Sequence, residues 1–357
     1  MKNLKKEFPV TANYTHLNTA GSGLLSETLL DFRQNHDLDY LVYGSVIKDK
    51  QDKFISWVRK DVGSFFKCHP SRVALVPSFS IGFNFLLDAL PSKTKVLLLQ
   101  EDYPSINWPV EARDFEICYA AIDEHLEDNI LQAVEKEKPQ ILCLSLVQYV
   151  SGVQIDFEFL KKLKENFPDL IICGDGTQYC GVEEFDFEQS GLDILGASTY
   201  KWMNAGYGNG FFLFKEAMQE VLKPKAVGFA SIRGLYKEEN EHALIGKFEP
   251  GHIDTLNMGS LQAAIQLVKK VGYSNITEQI NTLKKQALEA FASRGLLDEF
   301  VTQRKVHSSI FNIKGDQKLF EKLKAKDIIC SQRGNGIRIS FHYFNTESDL
   351  EQLLKLI

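Results

Sequence analysis

Residues 175–210 read DGTQYCGVEEFDFEQSGLDILGASTYKWMNAGYGNG, and two charged residues frame the reading. Lys201 follows ILGAS (194–198), an apolar run of small residues, and Gly206, Gly208 and Gly210 come just behind it. Asp175 closes another apolar run, LIICGD (170–175). Each run has the length of a buried parallel strand, and in an open α/β sheet ligands sit outside the carboxyl ends of the strands. The pattern therefore predicts a carboxylate and an amine at one rim.

Pyridoxal 5'-phosphate needs both groups at such a rim. Its aldehyde takes a Schiff base from a lysine, while a carboxylate keeps the pyridine nitrogen protonated. Lys201 is the candidate for the first role and Asp175 for the second. A solvated loop lysine and a strand-end aspartate are the plainer alternative, because charged side chains are mostly exposed. The rest of the chain bears on the choice.

At 357 residues the chain has the length of two domains, or of one large domain carrying a smaller one. With 44% hydrophobic and 25% charged residues it has the composition of a soluble globular protein. A formal net charge of −6 argues against nucleic acid or an anionic membrane as the main partner. The six cysteines (Cys68, Cys118, Cys143, Cys173, Cys180, Cys330) are scattered without CxxC or metal-ligand spacing. No metal site is expected from them, and a reduced, cytoplasmic setting is. Lys2, Lys5 and Lys6 are followed by no apolar core of a signal peptide. No apolar run approaches the roughly 18 residues of a membrane-spanning helix.

Along the chain, residues 1–13 read as a polar arm. YTHLNTAGSG (14–23) then breaks into small residues, where glycine-rich backbone can approach a ligand closely. Residues 24–66 have helical spacing. SRVALVPSFSIGFNFLLDAL (71–90) predicts a strand at Val73–Val76, a turn, and a helix beginning near Ser80. Unpaired N–H groups and the helix dipole favour an anion there, so Ser80 is a phosphate candidate or a plain N-cap. KVLLLQEDYPSINWP (95–109) reads as strand then loop, with Tyr103 placed to stack on a planar ring. Further strands are predicted in 140–152, 170–175 and 210–214, with helices at 124–136 and 156–167. Gln178, three residues after Asp175, suits a donor to the cofactor's phenolic oxygen, and Ser198, three before Lys201, suits a phosphate contact. This alternation predicts a parallel, doubly wound sheet. Beyond a loop at 223–258 the pattern changes to long helices, then strand, helix, hairpin-like strands and helix. The division expected is an arm (1–13), a large cofactor-binding α/β domain (14–240) and a small C-terminal α+β domain (241–357).

These motifs together resemble the class V aminotransferase family, fold-type-I pyridoxal phosphate enzymes that include cysteine desulfurases, kynureninases and isopenicillin N epimerase-like proteins. The resemblance runs from YTHLNTAGSG, similar to the family's "YLDNAG" opening, to GIRISFHYFNTESDLEQLL, similar to its "RISxHxYNTxxDLxxLL" ending. It implies Lys201 as the Schiff-base lysine, Asp175 as partner of the ring nitrogen and Gln178 on the phenolic oxygen. Phe79 and Ser80 fall in its phosphate turn, Tyr103 at its ring-stacking position and Tyr200 at the residue before the lysine. Gly228 with Phe229, and FEPGH with His252 at a position where many members have threonine, resemble an inter-subunit phosphate clamp, which implies a homodimer. Arg338 matches the arginine that grips the carboxylate of a small amino-acid substrate through a two-bond fork. Asn18 and Gly21, in the opening motif, are expected on the substrate side.

Which reaction follows removal of the α-proton is left open between transamination, β-cleavage and epimerisation. STYKWMNAG is similar to the kynureninase-like lysine loop. A cysteine desulfurase or selenocysteine lyase needs a nucleophilic cysteine on a mobile loop, and Cys330 lies in the apolar IIC; Tyr200 also replaces the usual histidine. A nucleotide-binding module is suggested by GYGNG, but its glycines do not follow G-x-G-x-x-G. A catalytically silent homologue has no need of both Lys201 and Asp175.

Overall fold

The computed structural model describes residues 4–232 and 243–357. Seven strands form its central sheet: β1 (Val73–Val76), β2 (Lys95–Leu99), β3 (Glu116–Ala120), β4 (Ile141–Ser145), β5 (Ile171–Asp175), β6 (Ile194–Ser198) and β7 (Gly210–Phe214). Their spatial order is β1-β7-β6-β5-β4-β2-β3. Strand β7 runs antiparallel to β1 and β6, and the other neighbours are parallel. Successive strand residues point to opposite faces, so a sheet covered on both faces needs apolar residues at every position. In β7, Phe211 and Leu213 enter the core on one face while Phe212 and Phe214 enter the core on the other. Leu97 and Leu99 against Val96 and Leu98 repeat the pattern in β2.

Helices α1 (Glu27–Tyr43) and α2 (Gln51–Phe66) precede the sheet, and α3 (Phe79–Asp88), α4 (Pro104–Glu111), α5 (Leu126–Glu137) and α6 (Phe157–Asn166) connect its strands. One face takes α3 and α4, through Phe83, Leu86, Ile106 and Val110. The other takes α2, α5 and α6, through Val58, Ile130 and Leu160. The doubly wound reading is thereby met. Two elements differ from the sequence reading. Strand β3 (EICYA) was not expected, because as an edge strand it leaves Glu116 and Tyr119 exposed and lacks a continuous apolar run. Helix α4 forms where a loop was expected: Pro104 occupies its first turn, where a missing N–H costs nothing, and Pro109 is tolerated inside it.

Two long helices follow, α7 (Thr255–Val271) and α8 (Tyr273–Ser293). Helix α7 packs on α1 and α2, with Gly259 admitting close approach: a Cβ there would stand 2.7 Å from the Phe54 ring. Then come β8 (Ile310–Lys314), α9 (Gln317–Lys324), β9 (Ser331–Arg333), β10 (Gly336–Ser340) and α10 (Glu347–Leu354). The three strands form an antiparallel sheet in the order β9-β10-β8. The opening segment joins this region rather than standing as a free loop: Thr15–His16 pairs in parallel with Ile328–Ile329, and the Ser340 N–H donates to Leu17 O at 2.9 Å. The expected boundary between 240 and 241 lies outside the described residues.

One buried ion pair ties α2 to the sheet. Glu249 accepts from Arg59 Nη1 and Nη2 at 2.5 and 2.7 Å and from Leu75 N–H at 2.7 Å, while Arg59 also donates to Val73 O. With the Glu249 side chain almost wholly buried, removing one charge leaves the other uncompensated. Glu249→Ala is therefore expected to lower unfolding stability by about 3–5 kcal/mol in denaturant titrations, and a loss below about 1 kcal/mol would contradict this role.

Candidate active site

The carboxyl ends of β5 and β6 and the start of α3 meet at one rim, and a chain of hydrogen bonds links them. Asp175, the last residue of β5, accepts from the Thr177 N–H at 2.8 Å; Thr177 Oγ1 accepts from the Ser198 N–H at 3.0 Å; Ser198 Oγ accepts from the Phe79 N–H at 2.8 Å. Ser198 thus stands at the first N–H of a helix, a position suited to an anion. The helix cap is Ser78, whose hydroxyl accepts from Ile81 N–H, so α3 begins one residue before the Ser80 start expected. Ser80 lies in the first turn, half-buried, donating to Ser105 Oγ at 3.0 Å. Phe79 reaches the site through its backbone; its ring is buried, stacked on Phe83 and Phe212.

Lys201 and Asp175 line the same small cavity, together with Tyr103, Ser145, Tyr149, Thr177 and Gln178. Both are about 5% exposed. Burial pushes the Asp175 carboxyl up to about 6, against the pull of the Thr177 hydrogen bond and the Lys201 charge. Burial likewise holds the Lys201 amine down to about 8, opposed by Asp175 and reinforced by Arg338 and Arg333. Lys201 Nζ lies 5.4 Å from the centre of the Tyr103 ring and 5.5 Å from that of Tyr200. Tyr200 in turn stacks on Tyr207 at 4.6 Å. Burial pushes the Tyr200 hydroxyl up to about 12, so it keeps its proton at neutral pH and can donate a hydrogen bond.

The loop carrying Lys201 is clamped from several sides. Trp202 Nε1–H donates to Gln178 Oε1 at 2.8 Å, and Gln178 Nε2 donates to Ala20 O at 3.0 Å, so the opening segment and the lysine loop share one amide. Asn204, at φ +52, accepts from the Leu24 N–H at 2.8 Å. His342 Nε2 lies 2.8 Å from Trp202 O. Gly23 passes so close to the Lys201 carbonyl that no Cβ fits there.

Arg338, on β10, is 3% exposed and turned towards the rim: its Nη1 donates to Tyr149 O at 2.8 Å, while its Nε–H has no partner. Asn18 pairs with Ser340 and keeps its own buried Oδ1 unpartnered; a Cβ on Gly21 would meet that amide at 2.8 Å. Phe229 and His252 are not brought to Lys201 within one chain. They stack on each other, 5.8 Å apart, on the wall of another cavity of about 780 Å³ that also takes in Lys48, Arg59 and His69. Thr177, Ser78, Trp202 and Tyr149 escaped the sequence reading. Of these, Thr177 carried a signal, since a hydroxyl two residues after a strand-end aspartate suits a local turn.

The family model for aminotransferase class-V matches residues 51–353. An uncharacterized aminotransferase of Bacillus subtilis strain 168, YcbU, is 23% identical over 97% of this chain and 94% of its own. Among solved structures, a C-DES variant with glycine covalently linked to its PLP cofactor superposes with a TM-score of 0.87 at 18% identity, covering 99% of this chain and 98% of that one. The apo cysteine desulfurase of Thermococcus onnurineus NA1 gives 0.84 at 17% identity, covering 99% and 96%. With its fold shared by such enzymes and its family model spanning most of its length, this chain belongs to the aminotransferase class-V family.

Proposed function

We propose that this chain is a pyridoxal-5'-phosphate-dependent enzyme acting on the α- or β-carbon of a small amino acid, by transamination, β-cleavage or epimerisation. The observation carrying the reading is the shared burial of Lys201 and Asp175 in one cavity. The donor set fits the cofactor: a buried carboxylate for the ring nitrogen, an amine whose pKa is lowered to about 8, and a ten-residue helix whose first N–H faces Ser198. When bound, the cofactor supplies an aldehyde carbon for Lys201 and a ring that withdraws electrons from the substrate's α-carbon.

In this reading Asp175 holds a proton on the ring nitrogen, and its charge, dear in the empty cavity, becomes paired. Ser198, whose oxygen accepts from the Phe79 N–H and whose hydroxyl hydrogen can donate, and Ser80 receive the phosphate, Gln178 directs its second N–H to the phenolic oxygen, and Tyr103 covers the ring beside Tyr200. Arg338 takes the substrate carboxylate, with Asn18 and Gly21 bounding that side. Lys201, free amine in part near neutral pH, removes the proton from the substrate's α-carbon. Phe229 and His252, distant from the site of their own chain, suit the phosphate of a neighbouring copy. The exposed apolar side chains Leu38, Leu41, Val42 and Val46 at the end of α1 and beyond suit the homodimer this requires. The expected division at 240/241 and a cytoplasmic setting belong to the same proposal.

The thiols bear on the desulfurase alternative. Burial pushes Cys330 up to about 11 and raises Cys180 well above the ordinary thiol range, so neither is a ready sulfur acceptor. A sulfur-releasing reaction here would hand its sulfur to an external thiol.

Lys201→Ala is expected to abolish the borohydride-trapped adduct seen by intact-mass spectrometry, with circular dichroism unchanged; an adduct of normal yield would overturn the assignment. In the wild-type apoprotein the rate of covalent capture should rise by about tenfold per pH unit below 8 and level off above it. Because the folded-state pKa of Asp175 is raised, the cofactor-free protein loses stability as pH rises from about 4 through 6. Asp175→Asn should therefore stabilise the cofactor-free protein at pH 8, by up to about 3 kcal/mol, while weakening cofactor retention. Arg338→Ala should raise the KM for amino acids about 100-fold with little loss of cofactor, and an unchanged KM would remove its role.

A further inference from the structure

A second arginine shares the face of the C-terminal sheet from which Arg338 reaches the site. In β9 and β10 the register pairs Ser331 with Arg338 and Arg333 with Gly336. Directly opposed residues of an antiparallel pair point to one face, as do residues two apart on a strand, so Arg333, Ser331 and Arg338 project to the same side. Ile337 and Ile339 fill the opposite face as core. The two-residue turn at Gly334–Asn335, with Gly334 at φ +54, fixes this register, and a one-residue slip would send Arg333 to the wrong side. The Asn312 Nδ2 donates to Arg333 O at 3.0 Å and pins the hairpin from β8.

Within this frame the donors outnumber their partners. Arg338 Nε–H and Ser331 Oγ are buried without a hydrogen-bond partner. The Arg333 guanidinium donates to Gln332 O at 3.0 Å, and among the described residues neither arginine has a carboxylate partner. Gly336, opposite Arg333 and two residues before Arg338, has no side chain of its own, and the Asn312 amide lies over it: a Cβ there would meet Asn312 Oδ1 at 2.5 Å, an oxygen that is itself buried without a partner. Two guanidinium groups at diagonal positions, about 7–8 Å apart at their Cα atoms, repel one another, weakly where Arg333 meets solvent, and an anion between or beside them would reverse the sign of the interaction. Their joint effect reaches the catalytic amine, whose pKa both lower.

We infer that Arg333, with Ser331, binds a second anionic group on the substrate, so that the enzyme prefers amino acids with an acidic side chain while Arg338 takes the α-carboxylate. This rests on the cofactor reading above and adds the substrate class. Arg333 is a specificity-determining residue in this account and takes no part in the proton transfer. Its exposure leaves it partly screened, so its contribution is that of a solvent-accessible ion pair.

The test uses the holoenzyme and isosteric pairs, L-aspartate against L-asparagine and L-glutamate against L-glutamine, with spectral titration of the bound cofactor and kcat/KM as readouts. The wild type is expected to prefer the acidic member of at least one pair by about threefold to fivefold, the preference shrinking as salt is raised. Arg333→Gln should bring that ratio close to one, and Arg333→Lys should restore part of it. An equal response to acid and amide in the wild type overturns the inference. So does a ratio unchanged in Arg333→Gln, whether because both arginines hold one carboxylate or because Arg333 is a solvated charge. If no amino acid alters the cofactor spectrum and borohydride traps no adduct, the cofactor reading fails first.

Discussion

Desolvation of a lysine and an aspartate in one cavity is the constraint on which the site depends. Each charge is costly away from water, and each is held there by covalent connection to a strand end that packing places at the rim. Water removal lowers the amine of Lys201 towards a usable free base and raises the carboxyl of Asp175. The two shifts oppose the attraction between the groups, which keeps the pair responsive to whatever enters between them. Such an arrangement costs stability in the empty protein, and a cationic group brought beside the carboxylate would offset that cost.

The rim owes its rigidity to short bonds between neighbouring strand ends rather than to long side chains reaching in. Thr177, Ser198 and the Phe79 N–H form a line from β5 through β6 to α3, so a displacement of any one strand would be felt at the others. Gln178 extends this line through Trp202 and Ala20 into the opening segment. The lysine loop is therefore fixed by residues distant in sequence, and Gly23 allows that segment to lie against the Lys201 backbone.

Joining of the opening segment to the C-terminal sheet brings Arg338 to the rim. Leu17 and Asn18 pair with Ser340, two residues beyond Arg338, and Arg338 then crosses to Tyr149 on the large sheet's side. A guanidinium from the C-terminal sheet and an amine from the central sheet thus face a common space. The hairpin turn at Gly334–Asn335 adds Arg333 to that face by register alone.

Much of this was legible in the residues. Apolar runs of strand length ending in Asp175 and preceding Lys201 determined a parallel sheet with ligand chemistry at its rim, because buried parallel strands must be apolar on both faces. The opening and closing motifs drew attention to Asn18, Gly21 and Arg338, and the pairing of Asn18 with Ser340 sets these two motifs side by side. Strand β3 and helix α4 were hidden, since an edge strand needs no continuous apolar run and a helix can begin on proline. Tertiary structure alone decided that Thr177 and Ser198 bridge three elements, that Ser78 rather than Ser80 caps α3, and that Phe229 and His252 lie away from Lys201. It also decided that Arg333 shares a face with Arg338. These are matters of which strand lies beside which, and in what register, and backbone pairing between segments far apart in the chain leaves no local trace in either one.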